Sequence, residues 1–559
     1  MSGDDQTRGL VDDYLKRRIG RRQFLERAAG LGLSLSAASA LLAACGGDDD
    51  EAAPPAAGGA TGATETGAAE ASGPLRLRLL NDIINLDPAF YPALADEVAM
   101  LGVYEGLVTY TPGTWEVVNQ LAETFEPSAD GLRFDFKLKE GIQFHGGYGE
   151  VTAEDVKFSY ERVAGLTRPK LDSPYKGDWA PHLQEVQTRG KYEGTIILKQ
   201  PFAPLMTTTL PVNGGLVVSK KAVEEKGKKY ATSPIGTGPY EFVEWKPKQE
   251  VRLQRFASYS GASADTLGTI WDELVLIPIE EDEAASIALE TDEVDSGELP
   301  LDGIDRFAEN DDFTVEEFTS LDYTWIGMNT RSPKLSDINV RQAIRYAIDV
   351  PSIIEAAFEG RYEQAGAIIS PGMPIGFWED APIYERDLDQ ANQFLSQASN
   401  PPSELDFRFT EETGARETGE IVQANLGEIG IDVKLTQLDS SAYYALEKEE
   451  MRSRDLFYVG FVTQPDPSWS TVWFVCDQID VWNWMYWCDE EYDRLHYAAL
   501  KEADQAKRNE MYIQMQERWD AAVHTVWLAW PTRYYGTRQG LQIGMRLDGH
   551  MVPTAYRAV

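Results

Sequence analysis

Hydrophobic positions change period along the chain in a way that marks out alternating elements. Arg76-Leu77-Arg78-Leu79-Leu80, and later Phe134, Phe136 and Leu138 in RFDFKLKE, place apolar residues at every second position, which predicts half-buried strands. Thr152-Ala153-Glu154-Asp155 has the capping-box pattern, and Val156, Tyr160 and Val163 follow along one helical face. Val340, Ile344, Ala347 and Ile348 form one helical stripe, and Leu388, Ala391, Leu395 and Ala398 form another. Ile421, Leu426 and Ile429 end at Gly430, a C′ glycine in this reading, after which Ile431, Val433 and Leu435 return to a period of two. Met511, Met515, Trp519, Ala522 and Val523 make a last stripe before the apolar run Val526 to Trp530. Helices interleaved with strands at this length predict α/β lobes.

Three stretches break the alternation. Arg21-Arg22-Gln23-Phe24-Leu25 precedes an apolar, small-residue run from Ala28 to Ala44, the order of an export signal of the twin-arginine type, although Gly20 stands where Ser or Thr is commoner. That run is too short to span a membrane in the mature protein. It ends in Leu42-Ala43-Ala44-Cys45-Gly46, which resembles a lipoprotein lipobox with Cys45 as the lipidated residue. Residues 46–74 contain only Gly, Ala, Pro, Ser, Thr, Asp and Glu and read as a flexible tether, with a root-mean-square span of roughly 30 Å.

The third stretch, FVTQPDPSWSTVWFVCDQIDVWNWMYWC from Phe461 to Cys488, holds five of the fourteen tryptophans and no lysine or arginine. An apolar run that passes into Pro-interrupted polar sequence reads as a strand breaking into a binding loop. Trp469, after the Pro465-Asp466-Pro467 turn, and Trp482 and Trp484, which flank Asn483, are predicted to be exposed platforms. Trp473 and Phe474, beside Val472 and Val475, are predicted to be core.

Charge narrows the partners. At 559 residues with 43% hydrophobic and 11% aromatic content, the chain has material for more than one domain. The net charge of −40 opposes nucleic-acid binding, since each phosphate would meet repulsion. Removing residues 1–44 takes away seven basic and five acidic groups and leaves −42. No two of the five histidines (His145, His182, His496, His524, His550) are close enough in sequence to suggest a zinc site, and no cofactor motif is present. Gly236-Thr237-Gly238 is followed by Pro239 and lacks the rest of a dinucleotide fingerprint.

Five motifs in order resemble the extracellular solute-binding proteins of family 5, the peptide, nickel and opine group that serves ABC importers. They are Leu86-Asp87-Pro88-Ala89; Val103-Tyr104-Glu105-Gly106-Leu107-Val108; the run from Leu121-Ala122-Glu123 through Asp130-Gly131-Leu132 and GIQFHGG to Val151-Thr152-Ala153-Glu154-Asp155-Val156; Pro234-Ile235-Gly236-Thr237-Gly238-Pro239-Tyr240; and Asn339-Val340-Arg341-Gln342-Ala343-Ile344. The resemblance implies a two-lobed periplasmic-binding-protein type II clamp of α/β class. Lobe I would comprise 75–277 plus 528–559, with an inserted subdomain at about 112–217, and lobe II would comprise 278–527. Ligand would stabilise the closed state as far as it touches both lobes. Cys476 and Cys488, the cysteines left after export, are expected to form a disulfide like the loop disulfide of the dipeptide-binding members.

The resemblance also implies a site with no catalytic residues. The residues expected to line it, from the resemblance and the loop pattern together, are Tyr91 from lobe I, Trp325 and Asn329 near the start of the lobe II sheet, and Phe461, Thr463, Trp469, Trp482, Asn483 and Trp484. Aromatic residues would stack, while Thr463, Asn329 and Asn483 would hydrogen-bond. Peptide binders carry an acidic residue where Thr463 stands, and a hydroxyl cannot supply that charge. Nickel is not supported by Phe461, which takes the place of a tryptophan. The function expected is that of a monomeric, lipid-anchored capture subunit on the outer face of the cytoplasmic membrane or in the periplasm. It would hand a peptide-like or other small polar solute to a permease and ATPase. An oligosaccharide or other neutral solute is an alternative ligand, a sensory partner an alternative recipient, and a secreted lipid-anchored hydrolase the alternative of another class.

Overall fold

In the computed structural model, residues 70–90, 94–212, 214–261, 263, 267–444 and 452–559 are described. The export signal, Cys45, the tether up to residue 69 and Tyr91 lie outside them. Leu75, Leu77 and Leu79 are buried as their alternation predicts. Their strand, Glu70–Leu79, runs parallel to Ile270–Pro278, with Leu75 opposite Leu274 and Leu77 opposite Leu276. It begins inside the span read as tether, so the tether ends before Glu70. Arg78 departs from the alternation. It is buried, and its guanidinium donates to the Ile279 carbonyl at 3.0 Å and to Asp282 Oδ1 at 3.2 Å, which satisfies a charge that periodicity alone would place in water.

Two large sheets organise the molecule. The first has seven strands, in the order Tyr240–Lys246, Glu250–Arg255, Ile270–Pro278, Glu70–Leu79, Ser296–Glu298, Thr532–Arg538 and Phe313–Thr319. The second has six, in the order Glu363–Gln364, Thr525–Trp530, Tyr323–Met328, Leu456–Phe461, Glu404–Phe409 and Asp432–Gln437. The chain therefore crosses between sheets at 319–323 and again at 530–532. This corrects the expected boundaries of 278 and 528. Residues 296–298 and 313–319 pair with Thr532–Arg538 and so belong to the lobe I sheet; a strand's own residues do not announce which sheet it joins. A separate four-stranded sheet, Ala122–Pro127, Arg133–Leu138, Glu193–Leu198 and Leu183–Arg189, lies within the span expected for the inserted subdomain. The result is a two-lobed type II clamp.

The local predictions hold where one residue type decides them. Thr152 and Asp155 form the capping box of helix Ala153–Val163, whose Val156, Tyr160 and Val163 are buried. Gly430 follows helix Ala415–Glu428 at φ +79°, a conformation that glycine adopts without strain. Ile348 ends its stripe in extended backbone just past helix Ile338–Ala347. The lobe II sheet has a core on each face. Ile326, Met328, Leu456 and Tyr458 pack with helices Ile338–Ala347, Val350–Phe358 and Ala415–Glu428. Tyr323, Trp325, Phe457, Val459 and Phe461 face the tryptophan-rich segment and Met515 and Trp519 of helix Gln505–Ala522.

The hallmark motifs of lobe I bind one another. His145 contacts the Gly238 carbonyl through Nε2 at 2.9 Å and accepts from the Gly236 N–H through Nδ1 at 3.3 Å. Glu105 is buried and accepts hydrogen bonds from Thr237, Tyr259 and Ser263. Gly236 has no room for a side chain, because a Cβ there would lie 2.0 Å from the Val103 carbonyl oxygen. These motifs build the scaffold of lobe I. No helix among the described residues is long and apolar enough to cross a membrane.

Candidate functional site

Strands Glu404–Phe409, Asp432–Gln437 and Leu456–Phe461 are adjacent and parallel, so the segments that follow them emerge together at one end of the lobe II sheet. In open α/β sheets this carboxyl end is where ligands sit. The segment after Glu404–Phe409 brings Glu411, Glu412, Thr413 and Gly414, the next brings Tyr444, and the third brings Phe461 to Trp469. Tyr444 donates its hydroxyl hydrogen to Glu412 Oε1 at 2.8 Å. Burial, and then the Glu412 charge, hold the Tyr444 phenol well above its ordinary pKa, so it remains a donor.

The exposed part of this end is a chain of half-buried rings. Trp469 and Trp473 meet edge to face at 5.9 Å, and Trp473 meets Trp482 in the same way at 5.9 Å. Trp482 continues to Tyr444 at 6.3 Å, and Phe461 lies beneath Trp473 and Trp482 at 6.1 and 5.8 Å. Part of each tryptophan ring remains open to solvent. A separate cavity of about 420 Å³, lined by none of these rings, lies between the lobes. Arg78, Glu298 and Tyr534 line it from lobe I, and Tyr362, Thr413 and Glu417 from lobe II.

The sequence-predicted residues divide sharply. Trp469 and Trp482, expected to be exposed, are half-buried. Phe461 is largely buried as their support. Trp325 is corrected from ligand contact to core: it is 1% exposed and packs on Tyr323, Phe461, Phe474 and Trp527. Trp484, also 1% exposed, is the lid of a box in which the buried Arg454 guanidinium lies 4.7 Å from its ring and 4.7 Å from that of Tyr443. Asn329 holds the carbonyls of Arg452 and Arg454, and Asn483 those of Phe474, Val475 and Trp487. The Thr463 hydroxyl is paired with that of Ser470 at 2.9 Å. All three polar side chains are buried with their donors turned inward, so they brace the loop. Two ring members escaped the sequence reading. Trp473, predicted core from its valine neighbours, is half-buried, and Tyr444 had no pattern around it. Glu412 had one usable signal, a pair of acids directly after an alternating strand.

Cys476 and Cys488 are joined, with their Cα atoms 4.8 Å apart, and close the loop that carries Trp482. Replacing both with serine is expected to cost about 3 kcal/mol by the chain-entropy argument for a loop of this length, measured as a lower urea midpoint at unchanged slope.

A family description, bacterial extracellular solute-binding proteins, family 5 Middle, matches residues 116–480. The chain belongs to family 5 of these proteins. Among its relatives, the dipeptide-binding protein of Escherichia coli (strain K12) is 25% identical over 445 residues, covering 75% of this chain and 82% of that one. The structure of HbpA2 from Haemophilus parasuis superposes with a TM-score of 0.77 at 23% identity, over 87% of this chain and all of the other. A dipeptide-binding protein from Pseudoalteromonas sp. SM9913 in complex with Met-Leu superposes at 0.73 with 20% identity, over 87% and 100%. Like other family 5 members, this protein binds a solute and is not an enzyme, which removes the hydrolase reading.

Proposed function

We propose that this family 5 protein is the capture subunit of an ABC importer, anchored outside the membrane through lipid on Cys45, and that it closes on a small peptide or peptide-like solute. The half-buried array of Trp469, Trp473 and Trp482 at the carboxyl end of the lobe II strands carries this reading, because it leaves apolar ring surface open to solvent and is linked through Tyr444 to the Glu412 carboxylate. The relatives named for dipeptides support the ligand class. Thr463 supplies no negative charge, but Glu412, at the end of the neighbouring strand, does, and it would take the amine of such a ligand. Residues 46–69 would serve as the tether, and the permease and ATPase would be separate chains.

Native mass spectrometry of the purified protein, followed by thermal shift with di- and tripeptides and with neutral oligosaccharides, tests the reading. Peptides are expected to raise the melting temperature in a concentration-dependent way. Stabilisation by an oligosaccharide alone would overturn the peptide assignment. Trp473→Ala is expected to weaken the peptide so identified by roughly 10- to 100-fold, about 1–3 kcal/mol, read by calorimetric titration. A melting temperature that falls steeply in the ligand-free variant would return Trp473 to the core.

A further inference from the structure

The two chain crossings that join the lobes are tied to each other, since the Ser320 N–H donates to the Pro531 carbonyl at 2.9 Å. Asp322 lies in the first crossing, between strands Phe313–Thr319 and Tyr323–Met328. Its Oδ2 accepts from Arg533 Nη2 at 3.1 Å, and Arg533 stands just beyond the second crossing, in a lobe I strand. Its Oδ1 accepts from the backbone N–H of Thr463 at 3.0 Å, two residues past the strand that ends under the ring array. Arg533 is held from its other side by Glu298, a wall residue of the interlobe cavity, at 3.3 Å. The Asp322 and Arg533 side chains are 15% and 13% exposed, so solvent screens their pairing little. One carboxylate thus joins the start of lobe II, the return strand of lobe I and the loop that leads from the binding strand.

The geometry points to Asp322 as a positioning residue for ligand capture, one that fixes the ligand loop and the hinge in a single arrangement so that the angle between the lobes follows the loop. The alternative is a local role, in which the carboxylate only satisfies the Thr463 N–H. The two differ in reach. Outside this cluster, the lobes meet where the Ala203 N–H donates to the Leu500 carbonyl at 2.8 Å and where Thr207 Oγ1 donates to Asp466 Oδ2 at 2.7 Å. A residue that sets the hinge angle controls these contacts as well. A local cap does not. The inference rests on the two-lobed clamp alone and does not depend on which solute is bound.

Hydrogen–deuterium exchange on the ligand-free full chain separates the two. In Asp322→Asn, which keeps the shape and removes the charge, exchange at Ala203 is expected to rise about tenfold, because the cross-lobe contact opens more often. Arg533→Lys leaves the Thr463 contact in place but loses the forked guanidinium, and it is expected to raise exchange at Ala203 in the same direction. Faster exchange at Thr463 with Ala203 unchanged would overturn the inference in favour of a local cap. An equal rise in the core strand Glu404–Phe409 would also overturn it, since that reports general loss of stability. Should Asp322→Asn fail to fold, Arg533→Lys decides alone.

Discussion

Lowering the pH from 7 to 4 is expected to destabilise this protein by about 5 kcal/mol through two histidines alone, a large share of an ordinary folding free energy. His145 and His496 are each 1% exposed. Burial depresses both pKa values from 6.5 to about 4, against the weaker opposing pull of the Gly238 carbonyl on His145 and of the Asp466 charge on His496. Because the folded pKa lies below the unfolded one, the unfolded chain takes up protons first. The stability is fully present above pH 6.5, is lost as the pH falls from 6.5 to 4, and changes no further below that on account of these groups. The geometry explains why the imidazoles resist charging. His145 uses Nδ1 to accept the Gly236 N–H, and a proton on that nitrogen would break the bond that docks two hallmark loops. His524, buried and pushed further down, acts in the same direction. Urea midpoints at pH 7, 5.5 and 4 measure the effect, and a midpoint at pH 4 equal to that at pH 7 would refute it. His145→Gln is expected to remove part of the acid dependence while lowering stability at neutral pH.

Asp466→Ala is expected to cost about 3–5 kcal/mol, since it leaves the Arg508 guanidinium buried without its counter-charge. Both oxygens of Asp466 accept from Arg508 Nη2 at 3.0 Å, and the two side chains are 1% and 3% exposed. The same carboxylate caps helix Pro467–Thr471 through the Ser468 N–H and accepts from Thr207 of lobe I. The loss therefore has a structural and an interlobe part. Thr207→Val removes only the interlobe bond and is expected to cost about 1 kcal/mol. Asp466→Ala combined with Arg508→Met is expected to recover much of the stability, because no uncompensated charge remains. Chemical denaturation of the three variants measures each part, and a single variant Asp466→Ala within 1 kcal/mol of the parent would show that the pair contributes little.

Residues whose neighbours in sequence are also their neighbours in space were legible from the chain. The capping box of Thr152 and Asp155, the αL glycine at 430, the alternating leucines at 75, 77 and 79 and the strand that ends at Phe461 depend on local sterics and period, and those are written in consecutive residues. The clamp was legible through its motifs for a related reason. Glu105 and His145 are buried in hydrogen bonds that join the motifs, and Gly236 has no room for a side chain, so the motif letters are the ones this scaffold needs.

Which tryptophan stays open to solvent was decided by the tertiary structure alone. Trp482 and Trp484 stand two residues apart in one loop, yet one belongs to an open array and the other covers Arg454, because Tyr443, Arg454 and Phe457 arrive from elsewhere in the chain to bury it. Asn483, Asn329 and Thr463 likewise carry the chemistry of ligand contacts but point their donors at backbone and hydroxyl groups brought in by folding. The lobe boundary was decided at the same level, since a short strand such as Ser296–Glu298 gains its sheet from the partner edge it meets and not from its own sequence. Local composition determined what this protein is built from. The long-range order in which its strands pair determined which side chains were left open to a guest.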